Sequence, residues 1–466
     1  MKIMEKLEEE IQTVTKEDRI FGEYPVVKAV ATMVIPTIIS QIITVIYNLA
    51  DTWFVGLAQN AAAVAAISLC LPVYTMMTAF SNLFGIGGAS ALARALGVRD
   101  KCRAERVFAV SVFGSLCSAI LYSLVLCICA RPLLMLIGGD ASSIDYAVWY
   151  TRITIVIGGV PTIMSATFAQ LIRATGESKK SSFGITLGAI LNMVLDPLFM
   201  FVILPKGNEV IGAAIATAIS NVVSALYFLI YIFKHKEENI FRFKLHRGEG
   251  LRKTFVSIVK CGAPSFCLVG MAMFSNCFLN GMIAEMGSSA AVAGIGIVRK
   301  VDSLAYAVNQ GITQGMLPIV AYCYSSGRYK RMKSVIGFSS ICTVSFSLIC
   351  SICSYIFAPY LIRFFINDAD TIIYGSQFLR VLCIAVAIYP LLFVIIAVFQ
   401  AVGESVKPFL LSLLHKGSVD IVLLFVIRKI WGLEYILWAA PVMDAVALVV
   451  AVLLCMQFFG KMKENE

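Results

Sequence analysis

The sequence predicts an all-α integral membrane protein with twelve transmembrane helices, arranged as two six-helix bundles around a central cavity. Three observations lead to this prediction. The chain has 466 residues, of which 59% are apolar and 14% charged, whereas an ordinary soluble domain has about 25% charged residues. Apolar stretches long enough to cross a bilayer recur along the whole chain, and its two halves resemble each other. A soluble fold could not bury so much apolar surface, so lipid is the expected solvent.

The apolar stretches define the individual helices. A transmembrane helix needs about 20 apolar residues, and more when it is tilted. Twelve stretches meet this requirement: 26–54, 61–92, 105–130, 144–171, 181–204, 210–234, 255–285, 290–323, 334–357, 372–401, 406–428 and 434–459. An even number of spans places both termini on one side of the membrane. We therefore divide the chain into a tail 1–25, an N-lobe 26–234, a basic linker 235–254, a C-lobe 255–459 and a tail 460–466.

The basic residues indicate which side holds the termini. With the amino terminus inside, 26 Lys and Arg residues fall in inner segments, but only Arg131, Lys206, Arg363, Arg428 and Lys429 fall in outer loops. An excess of Lys and Arg in short loops marks the cytoplasmic side. We therefore expect both termini and the linker to be cytoplasmic. The net charge of +10 then reflects membrane topology and does not indicate nucleic-acid binding.

The composition also excludes several kinds of chemistry. Most of the 14 cysteines lie inside apolar stretches, where they act as small hydrophobic residues and predict neither disulfides nor a metal site. His235, His246 and His415 are isolated in the sequence, so we expect no metal-binding or catalytic role for them. The chain has no phosphate-binding G-x-x-x-x-G-K-[ST] motif, which argues against an ATPase. We expect neither an enzyme nor a cofactor.

The two halves match at a nearly constant offset. Pro36 corresponds to Pro264 and Asn48 to Asn276 at an offset of 228, and the motif A-x-G-E-S recurs at 174–178 and 401–405. Six helices per half give both halves the same orientation, which is the parallel-repeat arrangement of some transporters. Two such bundles can rock about a central cavity and expose it alternately to the two sides of the membrane.

Five motifs, in the expected order, resemble the multidrug and toxic compound extrusion (MATE) family. They are Y-N-L-A-D-T-W-F-V-G (Tyr47–Gly56), G-G-A-S-A-L-A-R-A-L-G (Gly87–Gly97), R-A-T-G-E-S (Arg173–Ser178), L-N-M-V-L-D-P-L-F (Leu191–Phe199) and Q-G-M-L-P-I-V-A-Y (Gln314–Tyr322). The compact chain is most similar to bacterial branches related to DinF and MepA. The resemblance implies a monomeric exporter in a bacterial plasma membrane. It also implies a bulky, amphipathic, often cationic small-molecule substrate and coupling to H⁺ or Na⁺.

Acidic residues within a span are candidates for function because charge is costly there. Asn192 and Asp196 are four residues apart, so their oxygens lie on one helix face. Pro197 has no N–H and frees a backbone carbonyl nearby. We expect Asp51 and Thr217 to complete a group of oxygen atoms for a proton or small cation. The family resemblance implies the same site, with Thr217 its weakest match.

The C-lobe lacks a matching pair of acids. Leu279 stands opposite Asp51, and we expect Lys416 and Asp420 to neutralise each other. Asp302 is expected either to pair with Arg299 or to face a cationic substrate. We therefore expect coupling to reside in the N-lobe alone.

The central cavity should suit large apolar cations, because Met and aromatic side chains provide soft packing and cation–π contacts. The expected lining residues are Gln41, Asn48, Met273, Asn276, Asp302, Tyr306, Phe393 and Phe399. Two other functions remain open. A flippase for lipid-linked oligosaccharides would need several cavity arginines, in which these helices are poor. A membrane acyltransferase would need a catalytic His or Ser cluster, and the sequence predicts none.

Overall fold

The computed structural model describes residues 17–57, 61–136, 144–205, 207–235, 240–243 and 250–464. Within these ranges the regular structure is entirely helical, as the composition predicts. The tail up to residue 16, His246 and parts of the basic linker lie outside the described residues.

The N-lobe comprises seven α-helices that form six membrane-crossing units. They are α1 (Val26–Leu57), α2 (Ala61–Gly97), α3 (Lys101–Leu136), α4 (Ile144–Thr151), α5 (Gly159–Ala174), α6 (Ser178–Pro197) and α7 (Glu209–Lys234). A π-helical turn, Arg152–Ile157, joins α4 to α5, and the helical axis bends there by 49°. A second π-helical turn, Leu198–Ile203, continues α6 beyond Pro197.

The C-lobe repeats this plan. Its helices are α8 (Gly250–Ala284), α9 (Ser289–Ser325), α10 (Tyr329–Ile356), α11 (Ala358–Arg363), α12 (Ala369–Val402), α13 (Val406–Lys416), α14 (Ser418–Ile430) and α15 (Ala439–Glu464). The helices α13 and α14 form one crossing that is interrupted at Gly417. A 3₁₀ turn, Leu433–Trp438, leads into α15.

Ten helical segments in the described chain are long and apolar enough to span a membrane, and the bent α4–α5 unit makes eleven. The remaining long helix is α9, which has 37 residues. Its middle carries Asn309, Gln310 and Gln314, which make it more polar than its neighbours. Together with α9, the described helices correspond to the twelve spans predicted from the sequence.

The lobes contact each other through equivalent helices. α2 packs against α8, and α9 packs against α1. The repeat offset converts the first pair into the second, so the two contacts are related by the internal duplication. Gly87 of α2 and Gly315 of α9 occupy equivalent positions. At each, an added Cβ would lie within 3.0 Å of the partner helix, beside Ile258 and Val34 respectively. Glycine therefore permits both close crossings.

The contacts between the lobes concentrate at one membrane face, which we call the basic face because it contains the Lys- and Arg-rich helix ends. An apolar cluster there joins Met33 of α1 to Met316 and Tyr322 of α9. The segment before α1 adds polar contacts. Tyr322 donates to Asp18, and Arg331 donates to the carbonyl of Phe21 at 2.6 Å. These contacts hold the two lobes together at the basic face.

Candidate functional site

The N-lobe contains a buried polar group on α6 and α7. Asn192 is 3% exposed and Asp196 is fully buried. The amide of Asn192 donates to Asp196 Oδ1 at 3.2 Å and to Thr217 Oγ1 at 3.3 Å. The α6 helix places the side chains of Asn192 and Asp196 on the face towards α7. The π-helical turn Leu198–Ile203 follows directly after this pair. Such turns often occur at functional sites.

Three buried oxygens of this group have no hydrogen-bond partner in the described structure. They are Asp51 Oδ1, Asn192 Oδ1 and Asp196 Oδ2. Asp51 and Asp196 lie close enough to interact electrostatically. Buried acceptors are nearly always satisfied in proteins, so orphaned ones require an explanation. Three hard oxygens, two of them carboxylate, suit a proton or a small cation such as Na⁺. The structure thus brings together Asp51, Asn192, Asp196 and Thr217, the four residues selected from the sequence.

Tyrosines enclose the Asp51 side of the site. Tyr47, Tyr74 and Tyr150 are close enough to Asp51 to interact with its charge. Their rings restrict access by solvent, and their hydroxyl groups can donate hydrogen bonds to a carboxylate or to its hydration water. These residues were not among those selected from the sequence, although three tyrosines within apolar helices are a usable signal.

A cavity between the lobes has a mixed lining of apolar side chains and a group of polar ones, and these polar residues were not selected from the sequence. The polar lining residues are Asn82, Gln170, Arg173, Ser265, Gln310, Thr313, Gln314 and Gln400. The internal repeat could have identified them, because Asn82 corresponds to Gln310 at offset 228 and Arg173 to Gln400 at offset 227. Arg173 donates across the lobes to Gln314 Oε1 at 2.9 Å. The cavity floor therefore also forms part of the contact between the lobes.

The predicted cavity residues occupy different surroundings. Phe393 lines the cavity, and Tyr306 packs edge-on against it at 5.8 Å. Gln41 and Met273 are half-buried, Asn276 is exposed, and Asn48 lines a separate groove between α1 and α9. Phe399 is fully buried in the C-lobe, where its ring lies 5.8 Å from Phe458. The structure therefore places Phe399 in the packing core of the C-lobe.

The expectation that Lys416 and Asp420 neutralise each other is wrong. The helix is interrupted at Gly417, so the two residues lie on different helices and do not share a continuous face. Asp420 instead accepts a hydrogen bond from Ser275 of α8. Lys416 lies near Asp302 and interacts with it electrostatically.

The expected ion pair between Asp302 and Arg299 and the expected isolation of His415 also need correction. Asp302 accepts a hydrogen bond from Tyr389 at 3.4 Å, while Arg299 Nη2 is buried without a hydrogen-bond partner in the described structure. His415 is not isolated, because its Nδ1 lies 2.5 Å from Asp444 Oδ1. This contact could not be predicted from the sequence, since the two residues are 29 positions apart on different helices.

The fold and the site define a two-lobed, polytopic membrane protein with a buried oxygen-rich site in one lobe. The MatE family model matches residues 36–198 and 264–426, which together make up more than half of the chain. The chain therefore belongs to the MatE family, as the motifs indicated. The two matched segments are related by the offset of 228 found in the sequence.

Curated relatives and solved structures agree with this assignment. The chain is 26% identical to the multidrug export protein MepA of Staphylococcus haemolyticus over 91% of this chain and 92% of the relative. It is 25% identical to MepA of Staphylococcus aureus over 93% and 94%. A MATE structure in complex with MaD3S has a TM-score of 0.88 at 22% identity, covering 97% of this chain and 99% of that one. An outward-facing multidrug resistance MATE transporter has a TM-score of 0.87 at 22% identity, with the same coverage.

Proposed function

We propose that the protein is a secondary active exporter that exchanges amphipathic, often cationic, drugs or metabolites for H⁺ or Na⁺ by alternating access. The observation that carries this proposal is the convergence of three orphaned oxygens from Asp51, Asn192 and Asp196 in the N-lobe. A buried carboxylate group of this kind is costly unless a proton or cation neutralises it. The names of the relatives, multidrug export proteins, support the export of drugs.

The proposed orientation places the basic face in the cytoplasm, in a bacterial plasma membrane. It rests on the distribution of Lys and Arg between the two sides. The polar contacts between the lobes, within the described chain, lie in the half near the basic face. Examples are Arg94 to the carbonyl of Ala401 at 3.0 Å and Arg173 to Gln314. In this orientation the protein is closed towards the cytoplasm, and the cavity would open outward.

Coupling follows from competition between the two ligands. A proton or cation that enters from outside neutralises Asp51 and Asp196, and the filled site should favour the N-lobe arrangement that binds the drug less well. The drug is then released outward. Linkage makes the effect reciprocal, so bound drug must weaken the affinity for the cation by the same factor. The proline at position 36 of α1 lacks one helical hydrogen bond and is the expected point of bending.

A lipid-linked oligosaccharide flippase is the alternative function within the same superfamily. Its pyrophosphate group would require several cationic residues around the cavity. Arg173 is the one charged residue among the described cavity-lining residues, and the others are amides, hydroxyls and apolar groups. This lining is better suited to an organic substrate with few charges than to a pyrophosphate.

Efflux of ethidium from proteoliposomes tests the proposal, with a pH gradient and a sodium gradient applied separately. Asp196→Asn should abolish gradient-driven efflux and leave ethidium binding measurable, because the carboxylate is lost but the cavity is unchanged. Asp145→Asn is the matched control. It removes an exposed carboxylate of the same lobe, paired only with Arg131 at 3.2 Å. If Asp196→Asn pumps at the native rate with the native gradient dependence, Asp196 is not the coupling group.

A further inference from the structure

The C-lobe contains a buried pair of ionisable residues that the proposed function does not use. His415 near the end of α13 and Asp444 on α15 are joined at 2.5 Å, and their side chains are only 4% and 2% exposed. At this distance one proton must lie between Nδ1 and Oδ1. Without it, both atoms would be hydrogen-bond acceptors and would repel each other. A histidine bonded in this way through Nδ1 keeps Nε2 available for a second proton.

Aromatic and charged groups of α12 and α9 lie near the pair. On α12, Tyr389 donates to Asp302 of α9, and Phe393 presents its ring edge-on to His415 at 5.1 Å. The charged groups that act on Asp302 are Lys416, Asp444 and Arg299.

Two further carboxylates on or near α13 are held by other contacts. Asp420 of α14 is bonded to Ser275 of α8. Glu404, just before α13, pairs with Lys407 at 3.4 Å near the basic face. Asp444 is therefore the carboxylate bonded to the imidazole, and Asp302 lies close enough to Asp444 to interact with its charge.

The helix is broken beside this cluster. α13 ends at Lys416, α14 begins at Ser418, and Gly417 between them has an extended backbone with φ −105° and ψ −153°. A Cβ at position 417 would lie 2.1 Å from the carbonyl oxygen of Leu413, so the break requires glycine. Discontinuous helices in transporters place helix ends at sites for ions or substrates. Here the carboxyl-terminal end of α13 carries His415 and Lys416, where the helix dipole favours positive charge.

The cluster occupies the position that corresponds to the N-lobe site. The interface of α13 and α14 with α15 is the counterpart of the interface between α6 and α7 in the repeat. Asp444 corresponds to Thr217 at offset 227, the offset that relates the two A-x-G-E-S motifs. The same interface thus contains buried polar residues in both lobes, with a carboxylate at the position of the Thr217 hydroxyl, whereas His415 corresponds to Gly188 at this offset.

We propose that His415, Asp444 and Asp302 form a second, proton-specific site in the C-lobe that gains and loses a proton during the transport cycle. His415 takes up the proton at Nε2, and the anionic Asp444 stabilises the resulting imidazolium. Na⁺ is less suited to this cluster, because it prefers oxygen ligands and the cluster supplies an imidazole nitrogen. This inference rests on the proposed function, which supplies the transport cycle. It extends the exchange mechanism to the second lobe.

Histidine ring NMR on the purified full-length protein tests the site directly. The variant His235→Gln/His246→Gln leaves His415 as the remaining histidine of the three in the chain. Its ring nitrogen signals should change between the neutral and protonated forms across pH 5–9. Asp444→Asn should alter that change, because it replaces the carboxylate bonded to Nδ1 by a neutral amide. A ring that keeps one protonation state throughout, or that is insensitive to Asp444→Asn, overturns the proposal.

Proton release on substrate binding provides a second readout. The number of protons released per bound ethidium is measured in weakly buffered detergent solution with a pH indicator. His415→Gln should release fewer protons than the native protein. The matched control His235→Gln should release the native number, since His235 stacks on Tyr231 at the end of α7, outside the cluster. Equal release by His415→Gln and the native protein contradicts the proposal.

The Asp196→Asn variant separates this proposal from the N-lobe site. If Asp196→Asn still pumps while His415 titrates, the N-lobe coupling fails and the C-lobe site stands. If Asp196→Asn abolishes efflux while His415 does not titrate, the C-lobe site fails and the N-lobe coupling stands.

Discussion

Gly262→Ala should weaken the closure of the lobes at the basic face. Gly262 lies on α8 where it crosses α2, and an added Cβ would be 1.8 Å from the carbonyl oxygen of Leu83. Contacts shorter than 3.0 Å essentially never occur at a Cβ, so the two backbones must separate by about 1 Å or more in this closely packed crossing. No side-chain rotation can relieve the contact, because the obstructing atoms belong to the backbone.

The expected cost follows from known overpacking effects. Forcing a methyl group into a packed interface costs about 1–3 kcal/mol, which corresponds to a change of about 5–150-fold in the ratio of closed to open protein. Hydrogen–deuterium exchange measures this ratio for amides that the closed interface protects. We expect faster exchange by this factor at the ends of α1, α2 and α9 near the basic face.

A control on the same helix distinguishes closure from general instability. Gly270→Ala adds the same methyl group to α8, where the nearest atom is Met76 Sδ at an ordinary 3.9 Å. Its exchange should match that of the native protein. The reasoning is refuted if Gly262→Ala exchanges at the native rate, or if both variants accelerate exchange equally throughout the chain.

Three other outcomes are expected. Impermeant thiol reagents added outside should fail to label a cysteine introduced in the linker 235–254. Strong labelling would show that the linker faces outward and would contradict the predicted topology. Arg94→Ala should cost the closed state about 1.5–3 kcal/mol through its lost bond to the Ala401 carbonyl of the other lobe, and native exchange rates would contradict this. Hydrogen bonds from Thr371 lower the pKa of Asp368, so its cap on α12 should persist at neutral pH and weaken in acid; an Asp368→Asn protein with the same acid dependence would disprove this.

The N-lobe site could be predicted because its geometry is local. Asn192 and Asp196 are one helical turn apart, and helical periodicity alone places them on one face. Asp51 stood out because acids are rare in apolar spans. The structure added the orphaned oxygens and the bond from Asn192 to Thr217 at 3.3 Å. Only the packing of α6 against α7 determines that distance.

The C-lobe cluster could not be predicted for the opposite reason. The contact between His415 and Asp444 joins two helices, and its existence depends on the break at Gly417. A single glycine within an apolar helix does not by itself indicate a break, since glycine is common in membrane helices. Phe399 illustrates a related difficulty. Its helix α12 is apolar on all sides, so periodicity does not reveal which face points to the cavity.

In the proposed mechanism, the different chemistry of the two lobes would determine which ions can drive the cycle. The oxygens of Asp51, Asn192 and Asp196 would bind either H⁺ or Na⁺, whereas the imidazole of His415 would bind a proton. A sodium gradient at constant pH would therefore load the N-lobe without changing the charge of the C-lobe. Only a change of pH would alter the charge of both lobes together. If the C-lobe site contributes to transport, efflux driven by a fixed sodium gradient should vary less with pH in His415→Gln than in the native protein, while efflux driven by sodium persists.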